Sequence, residues 1–445
     1  RAAMSFLRTM MLISSYGFLK EFKPTEPYLY EFEHVTLNIS EQTLNADVYP
    51  IWTYSYLIAL IPVFLLTDVL LYKIVIVAEG ISYLACWIMF DFGKSVLTQQ
   101  IIEGLYGAAS ATEIAYFAYV YVATDKVYYK RSTSLSRVAL LAGRFSSYVV
   151  AQLIIGFHWG DYYTLNYIST GSLVLAVAAA LLLPSISWKA AYARRFPVEI
   201  DRLSRTTEDE CDTGSEDANS EPPMPSYKMF VNRGVRTMWR DGVAMYSQGF
   251  IFKWSLWWAV ASCMDYQIEN YTQTLWGSVQ TDDTQYNGIT EALVPILSLP
   301  VVLLMEKVNV QWKKWGEATL TVMSLIDAGL LLMLALTPSI FVMYGGYIAY
   351  RILYEAMITI AQYNLASQLV KDSFGLLFGL NTFIALSLQT LLTIAVESLL
   401  HLSIRTQFFV YTGCHVVVSL IFAGAALLTF FSSRRNARRV HNTHL

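Results

Sequence analysis

Glu113 is an acidic residue in the middle of residues 104–121, a stretch that is otherwise apolar and long enough to cross a bilayer. A carboxylate at that depth costs about 2.5–3.5 kcal/mol even on the most permissive insertion scale, so such residues usually face a cavity, a partner or a substrate. Tyr116 and Phe117 follow three and four residues later and share its helical face. An anion beside aromatic rings suits an organic cation. The alternative is that Glu113 is paired and only orients a neighbouring helix.

Two further sets near the beginning of the chain have the same chemistry. Glu26 lies between two prolines, which limit the backbone and end or kink the preceding helix. It is either a fixed acid at a helix break or an ordinary charge of an extracellular loop. Tyr49, Trp52 and Tyr56 are spaced i, i+3, i+7 and share one helical face. By itself such a stripe is more often packing or an interfacial belt than a binding site.

The second part of the chain offers polar residues at the beginnings of apolar runs. Asn287 and Glu291 form an i, i+4 pair at a predicted helix start, next to Tyr286 and Gly288. Glu317 opens a later run, where an acid also complements the helix dipole, so a structural or gating role suits it as well as contact with a ligand.

Three polar residues occur deeper in these runs. Arg351 and Glu355 are one turn apart, and an intrahelical ion pair is the simplest account of both. Gln389 is polar at bilayer depth and can hydrogen-bond a ligand or a neighbouring helix. Signatures of serine hydrolases, P-loop enzymes and zinc proteases are absent, and the six histidines do not cluster. We therefore expect no enzyme activity, no metal site and no cofactor.

The composition is that of a membrane protein. Of 445 residues, 55% are hydrophobic and only 15% are charged, with a mean hydropathy of +0.42. Soluble domains carry about 25% charged residues. The four cysteines are scattered without a CxxC motif, so no obligatory disulfide is expected. No basic patch with interleaved aromatics indicates a nucleic-acid partner, and the expected partners are the lipid bilayer and a small molecule.

Twelve apolar runs predict an all-α membrane protein with twelve transmembrane helices in two six-helix pseudo-repeats. The first run is the weakest, because it contains Arg8 and Lys20. The predicted domains are 1–184, a six-helix bundle; 185–249, a cytoplasmic linker; 250–432, a second bundle; and 433–445, a basic cytoplasmic tail. The runs cover residues 5–25, 48–71, 74–92, 97–122, 135–157, 162–184, 250–276, 285–305, 316–336, 338–366, 374–399 and 406–432.

The loops predict the orientation. Basic residues concentrate after the fourth and eighth runs, in the central segment and in the tail, whereas the alternate loops are acidic or neutral. The positive-inside rule therefore places both termini and the linker in the cytoplasm. Asn38 begins an N-glycosylation sequon that this topology places outside, as in a multi-pass glycoprotein of the plasma membrane. Residues 206–223 are acidic and contain proline, so they are expected to be disordered.

A series of motifs is spread over most of the chain. They include KPTEP at 23–27, PIWTYSYL at 50–57, ATEIAY at 111–116, WSLWW at 254–258, YNG at 286–288, WGE at 315–317 and FGLNTF at 378–383. In content and order they resemble the reduced folate and thiamine transporter family, solute carrier family nineteen, a branch of the major facilitator superfamily. The resemblance implies a carrier with the fold of that superfamily.

Three positions separate the branches of that family. Folate carriers have a basic residue where Glu113 stands and a lysine where Gln389 stands, whereas thiamine carriers have Glu and Gln, with an aromatic where Trp52 stands. This sequence is similar to the thiamine branch at all three. The resemblance implies that thiamine is held by the substrate-binding residues Glu113, Glu26, Trp52, Tyr49, Tyr116 and Asn287, with Glu317 serving gating or structure.

Two residues depart from the thiamine pattern. Arg144 falls where thiamine carriers tend to have an aromatic, and Glu79 replaces a usual glutamine. Arg144 either neutralises Glu79 or Glu113, which is the preferred interpretation, or it recognises an anionic group of the substrate.

The first hypothesis is a secondary transporter that takes up thiamine by alternating access. The alternative is a carrier of reduced folate or phosphorylated thiamine that uses Arg144. A membrane receptor that binds without net flux is a third hypothesis. A buried carboxylate can titrate, so the sequence is compatible with proton coupling without indicating which residue would carry it.

Overall fold

The computed structural model describes residues 2–67, 72–124, 129–186, 246–280, 286–305, 311–368 and 374–443, together with positions 240 and 243. Within these ranges all regular structure is helical, and twelve helices are long. The predicted disordered stretch 206–223 and most of the predicted linker lie outside the described residues.

The first half of the molecule contains six long helices and one folded connection. Between α1 and α2, a chain of short helical turns runs from Glu26 to Val48, and we call it the outer segment. The helices are α1 (Ala2–Glu21), α2 (Tyr49–Thr67), α3 (Lys73–Phe92), α4 (Val96–Val122), α5 (Tyr129–Gly156) and α6 (Tyr162–Leu182).

The second half also contains six long helices. The eleventh continues as π-helical turns over Ile394–Leu399, and the twelfth runs on through most of the predicted basic tail. The helices are α7 (Gly249–Gly277), α8 (Asn287–Met305), α9 (Trp312–Leu336), α10 (Ile340–Gln368), α11 (Phe374–Thr393) and α12 (Ile404–Thr443).

Short polar residues cap two of the helices. Ser95 accepts a hydrogen bond from the backbone N–H of Thr98, at 3.1 Å, at the beginning of α4. Asp161 accepts from the backbone N–H of Thr164, at 2.9 Å, and its own N–H donates to that threonine's hydroxyl, which completes a capping box on α6. These caps satisfy N–H groups that have no partner within the helix, and they fix where α4 and α6 begin.

The helices fit the predicted spans, and the protein is an integral membrane protein. Six of the described helices have a stretch long and apolar enough to cross a bilayer: residues 73–92, 135–156, 162–182, 314–336, 377–399 and 404–430. The charged residues discussed below lie largely in other helices, including α1, α4, α7 and α10. Twelve membrane crossings and cytoplasmic termini therefore remain predictions.

Each set of six helices packs mainly within itself. In the first half α1 packs against α5 and α6, α2 against α4, and α3 against α4 and α6. In the second half α7 packs against α10 and α11, α8 against α10, and α9 against α10 and α12. The two halves meet chiefly where α5 packs on α8 and α2 packs on α11. The domain boundaries predicted from sequence remain predictions.

Candidate functional site

Lys20, near the end of α1, is the cation that Glu79 and Glu113 share. Its side chain is completely buried, and its Nζ lies 2.8 Å from Glu79 Oε1 and 3.4 Å from Glu113 Oε1. The hydroxyl of Tyr16 donates to the other oxygen of Glu79 at 2.7 Å. A buried ammonium is tolerated only when it is paired and hydrogen-bonded, so Lys20 depends on these acids. From the sequence, Lys20 was expected only to weaken the first span.

The two acids that share Lys20 differ in access. The side chain of Glu79 is completely buried, whereas that of Glu113 is 34% exposed and makes the longer contact with Lys20. Both interpretations of Glu113 therefore have support, because it is ion-paired to a neighbouring helix and also reachable from outside the packed core.

Arg144 pairs with an acid that the sequence analysis did not consider. Its Nε donates to Glu21 Oε2 at 2.6 Å, and its side chain is 39% exposed. The expected partners were Glu79 or Glu113; the direct partner is Glu21, because Lys20 already lies between those two acids, and Arg144 also interacts electrostatically with Glu113. A Cβ on Gly143 would clash with the carbonyl oxygen of Phe18, so the bare glycine lets α5 approach α1 closely, beside Glu21.

Glu26 is held at the break after α1 by three donors. It accepts from Lys23 Nζ at 2.6 Å, from the hydroxyl of Tyr106 at 2.6 Å and from that of Tyr148 at 3.0 Å. The ammonium of Lys23 also lies over aromatic rings, at 4.6 Å from the ring centre of Tyr83. The acid between the prolines is therefore a fixed, largely buried group, as the first of its two interpretations requires.

Three aromatic rings form a cluster that joins the halves. Trp52 lies edge-on to Tyr56 at 5.5 Å and to Tyr266 of α7 at 6.3 Å, and the two tyrosine rings are 6.5 Å apart. The indole N–H of Trp52 donates to Ser110, one turn before Glu113, at 3.2 Å. Tyr56 also interacts electrostatically with Glu113. We call Trp52, Tyr56 and Tyr266 the aromatic cluster.

Tyr49 and Tyr116 are not in the aromatic cluster. The hydroxyl of Tyr49 donates to Glu33 at 2.8 Å, beneath the outer segment. Tyr116 is completely buried inside the first half, where its hydroxyl donates to the carbonyl of Ile13 at 3.2 Å. The stacking of Tyr116 on a substrate stays a prediction, and in this conformation its face of α4 is covered by α1.

Arg351 is the buried cation of the second half. Its Nη1 lies 3.3 Å from Asp265 and 3.2 Å from Glu269, both on α7. The predicted intrahelical pair with Glu355 is therefore replaced by pairing across two helices. The side chain of Glu269 is 49% exposed, and it also interacts electrostatically with Arg144 of the first half. The sequence analysis missed both acids, although their i, i+4 spacing in an apolar run was a signal.

The remaining predicted residues of the second half have structural partners. Glu317 forms an ion pair with Lys253. Glu291 accepts from the hydroxyl of Tyr347 at 3.3 Å. Gln389 is completely buried and donates to Gln267 of α7 at 3.2 Å, so it joins helices within the second half.

Asn287 lies at the contact between the halves. Its amide N–H donates to Glu31 of the outer segment at 2.6 Å, and its amide oxygen accepts from Tyr344 at 2.7 Å and from Gln280 at 3.0 Å. The residue is completely buried. A direct contact between Asn287 and a substrate stays a prediction, and in this conformation most of its hydrogen-bonding capacity is already used.

Other contacts join the two halves at this same end. The amide of Gln273 donates to the carbonyl of Glu26 at 2.9 Å, and Gly277 of α7 packs directly under the ring of Tyr30. On α8, a Cβ on Gly288 would come within 2.9 Å of the carbonyl of Tyr148. Glycine therefore leaves room for the ring of Tyr30 at position 277 and for the backbone of Tyr148 at position 288. The two halves are in contact at this end of the molecule, so it is closed, and we call it the outer gate because the predicted orientation places it outside.

Two predictions concern groups beyond the binding residues. Asn38 is exposed and has a positive φ of 55°, a conformation that asparagine tolerates, and its glycosylation remains a prediction. Within the described ranges, no three His, Cys, Asp or Glu side chains are grouped so as to hold a metal ion.

Comparison with known sequences gives consistent matches over nearly the whole chain. Residues 4–410 match the profile of a family described as the reduced folate carrier. Folate-like transporter 3 of Caenorhabditis elegans is 48% identical over 415 residues, which cover 93% of this chain and 95% of that protein. Folate transporter 1 of the same organism is 37% identical over 447 residues, covering 99% and 96%. Thiamine transporter 1 of Homo sapiens is 34% identical over 455 residues, covering 97% and 91%.

Solved structures resemble the fold. A POT family transporter in complex with a thioalcohol-conjugated peptide superimposes with a TM-score of 0.63, covering 95% of this chain and 96% of that one. The two sequences are only 11% identical, so the likeness shows a shared transporter fold and nothing about the ligand.

Proposed function

This chain belongs to the reduced folate carrier family, and on that premise we propose that it carries thiamine across the plasma membrane by alternating access. The substrate is inferred from the relatives that are named as thiamine transporters. The carboxylates and aromatic rings of the described site suit a cation. Each half would rock about a central site formed by α1, α2, α4, α5 and α7, with both termini and the linker in the cytoplasm.

The observation that carries the proposal is the position of Glu113. It is a carboxylate on a helix of the interior, it is 34% exposed, and it shares its cation with a completely buried acid. Lys20 keeps its shorter contact to Glu79 when a second cation approaches Glu113. A positively charged substrate can therefore bind Glu113 without leaving Lys20 unpaired, whereas an anion would meet repulsion there.

The aromatic cluster and the surrounding charges favour the same ligand. Trp52 and Tyr56 come from the first half and Tyr266 from the second, so a flat cationic ring held among them contacts both halves. Glu269 adds a half-exposed carboxylate from α7. An aminopyrimidine can donate to carboxylates, and a thiazolium can lie against aromatic faces.

A second candidate, a carrier of reduced folate or phosphorylated thiamine, is favoured by two observations. The side chain of Arg144 remains 39% exposed although it is paired with Glu21. An anionic group could bind there, and the identity to folate transporter 1 of Caenorhabditis elegans, 37%, exceeds that to human thiamine transporter 1, 34%. We place it second, because an anion bound at Arg144 would also lie near Glu113 and Glu269.

The test is a competition assay in cells that express the chain and lack their own carrier. Uptake of labelled thiamine is measured with excess unlabelled thiamine, thiamine phosphate or reduced folate, for the wild type and for Arg144→Tyr. In the wild type, only unlabelled thiamine should compete with labelled thiamine for uptake. Arg144→Tyr should show the same preference for thiamine over thiamine phosphate and reduced folate. Strong competition by folate that disappears in Arg144→Tyr would establish the second candidate instead.

A further inference from the structure

Glu31 is a carboxylate buried between the two halves at the outer gate. Its residue is only 2% exposed, although it belongs to the connection between two helices and not to the packed core of either half. One carboxylate oxygen, Oε1, accepts from Asn287 at 2.6 Å. The other, Oε2, is buried and has no hydrogen-bond partner among the described residues.

Among the residues that the structure describes, no compensating cation pairs with Glu31. In the part of the chain that the structure describes, the titratable groups that interact with it are the phenols of Tyr28 and Tyr30 on its own segment and of Tyr344 on α10. From α8 it meets the neutral amide of Asn287. An ionised carboxylate so placed lacks both an ion pair and half of its hydrogen bonds, which is costly in a buried position.

We propose that Glu31 is a proton-binding site of the outer gate, which takes up a proton when the halves close over it and releases it when they part. Opening would separate Glu31 from Asn287 and Tyr344 and expose the carboxylate to external water. The inference rests on alternating access in the proposed function, but it needs no particular substrate. Because the site is reached only from outside, the proton returns to the side from which it came, and no proton crosses the membrane.

The direction of the effect follows from linkage. Burial raises the pKa of Glu31 from its ordinary value of 4.5 to about 8 in the closed gate. At pH values below 4.5, Glu31 is protonated in both the open and the closed gate, so the equilibrium between the two does not depend on pH. Between the two values the open gate loses its proton while the closed gate keeps it. The ratio of closed to open molecules therefore falls about tenfold for each pH unit in that window.

A distance measurement across the gate tests this without any substrate. Spin labels are placed at Val35 on the outer segment and Tyr286 before α8, which are 65% and 41% exposed, in a background whose native cysteines are replaced by alanine. Distances between the labels are measured on purified protein from pH 5 to pH 8.5. The population with the longer, open distance should increase with pH over this range.

Two variants locate the effect. Glu31→Gln resembles the protonated acid, so it should hold the gate closed and remove the dependence on pH. Glu33→Gln is the matched control: Glu33 lies two residues away and is equally buried, but its partners are Tyr49 and, electrostatically, Glu103, both in the first half. The control should keep the tenfold dependence. An unchanged slope in Glu31→Gln, or its loss in Glu33→Gln alone, would overturn the assignment.

A second measurement uses the native chain and is independent of labelling. Hydrogen exchange of residues 26–48 is followed over the same pH range, after correction for the intrinsic exchange rate. Protection should decrease with rising pH in the wild type and stay constant in Glu31→Gln. Equal pH dependence in both proteins would contradict the proposal, whereas failure of thiamine uptake would leave this result untouched and count only against the proposed substrate.

Discussion

Lys20 and Glu113 form an unequal ion pair across α1 and α4. Their charged atoms are 3.4 Å apart, whereas the same Nζ lies 2.8 Å from Glu79 on α3. Glu79 is completely buried and Glu113 is 34% exposed. Glu79 therefore neutralises Lys20, and Glu113 remains accessible to a ligand that enters the site. In this arrangement an interior charge is stabilised by a partner and can still bind a ligand.

Replacing Glu113 by glutamine should weaken substrate binding more than it weakens the fold. A hydrogen bond to a charged group contributes about 1.5–3 kcal/mol, so the KM for thiamine should rise about tenfold to a hundredfold. Concentration-dependent uptake, together with surface biotinylation, measures this. As a control, Glu79→Gln should lower the amount of folded protein, because Glu79 is completely buried beside Lys20. A normal KM in Glu113→Gln would remove Glu113 from the site.

The aromatic cluster should respond to loss of a ring and not to loss of a hydroxyl. Tyr266→Leu removes the ring that α7 presents to Trp52 and Tyr56, and should raise the KM several-fold, since a cation–π contact contributes about 0.5–2 kcal/mol. Tyr266→Phe keeps the ring and should remain close to the wild type. Equal KM values for the two variants would show that the cluster only packs the halves together.

Arg144 and Glu21 should behave as one unit. Arg144→Gln leaves a nearly buried carboxylate with only the longer contact to Lys20, at 3.8 Å, and Glu21→Gln added to it should restore stability. Residues in contact commonly show coupling energies of about 0.5–3 kcal/mol, which thermal unfolding of the four purified proteins would measure. Additive effects would mean that the pair contributes nothing. The proposed function further requires that the double variant still prefers thiamine to folate.

Gly277 should be essential for closing the outer gate. An added Cβ would clash with the ring of Tyr30, and overpacking typically costs about 1–3 kcal/mol. Gly277→Ala should therefore slow uptake about tenfold or more while binding from outside persists. The matched control is Gly345→Ala, because Gly345 is also a helical glycine but has open space around its added Cβ. Similar losses in both variants would indicate a general effect of alanine on these helices.

Much of the fold could be predicted from the sequence, because apolar length is a local property. The bounds of α3, Lys73–Phe92, and of α6, Tyr162–Leu182, lie within two residues of the predicted runs 74–92 and 162–184. The family was also recognisable, because its motifs are contiguous. The glutamate at 113 was found by its cost in an apolar setting, and the glutamate at 26 by the two prolines that flank it.

The pairing of the charges could not be predicted, because it depends on how helices cross. Arg351 is one turn from Glu355, yet it pairs with Asp265 and Glu269 of a helix that lies far away in sequence. Tyr116 shares a face with Glu113, but that face is covered by α1 at this level. Helical periodicity predicts which face of a helix a residue occupies, whereas the access of a ligand to that residue depends on how the neighbouring helix packs.

The most direct test of the central claim is counterflow in proteoliposomes that contain only the purified chain. Vesicles are loaded with unlabelled thiamine, and entry of labelled thiamine is followed for the wild type and for Glu113→Gln, with vesicles loaded with reduced folate in parallel. The account predicts transient accumulation of labelled thiamine with thiamine inside, none with folate inside, and strong reduction in Glu113→Gln. Counterflow with folate but not thiamine, or binding of thiamine without any flux, would contradict it.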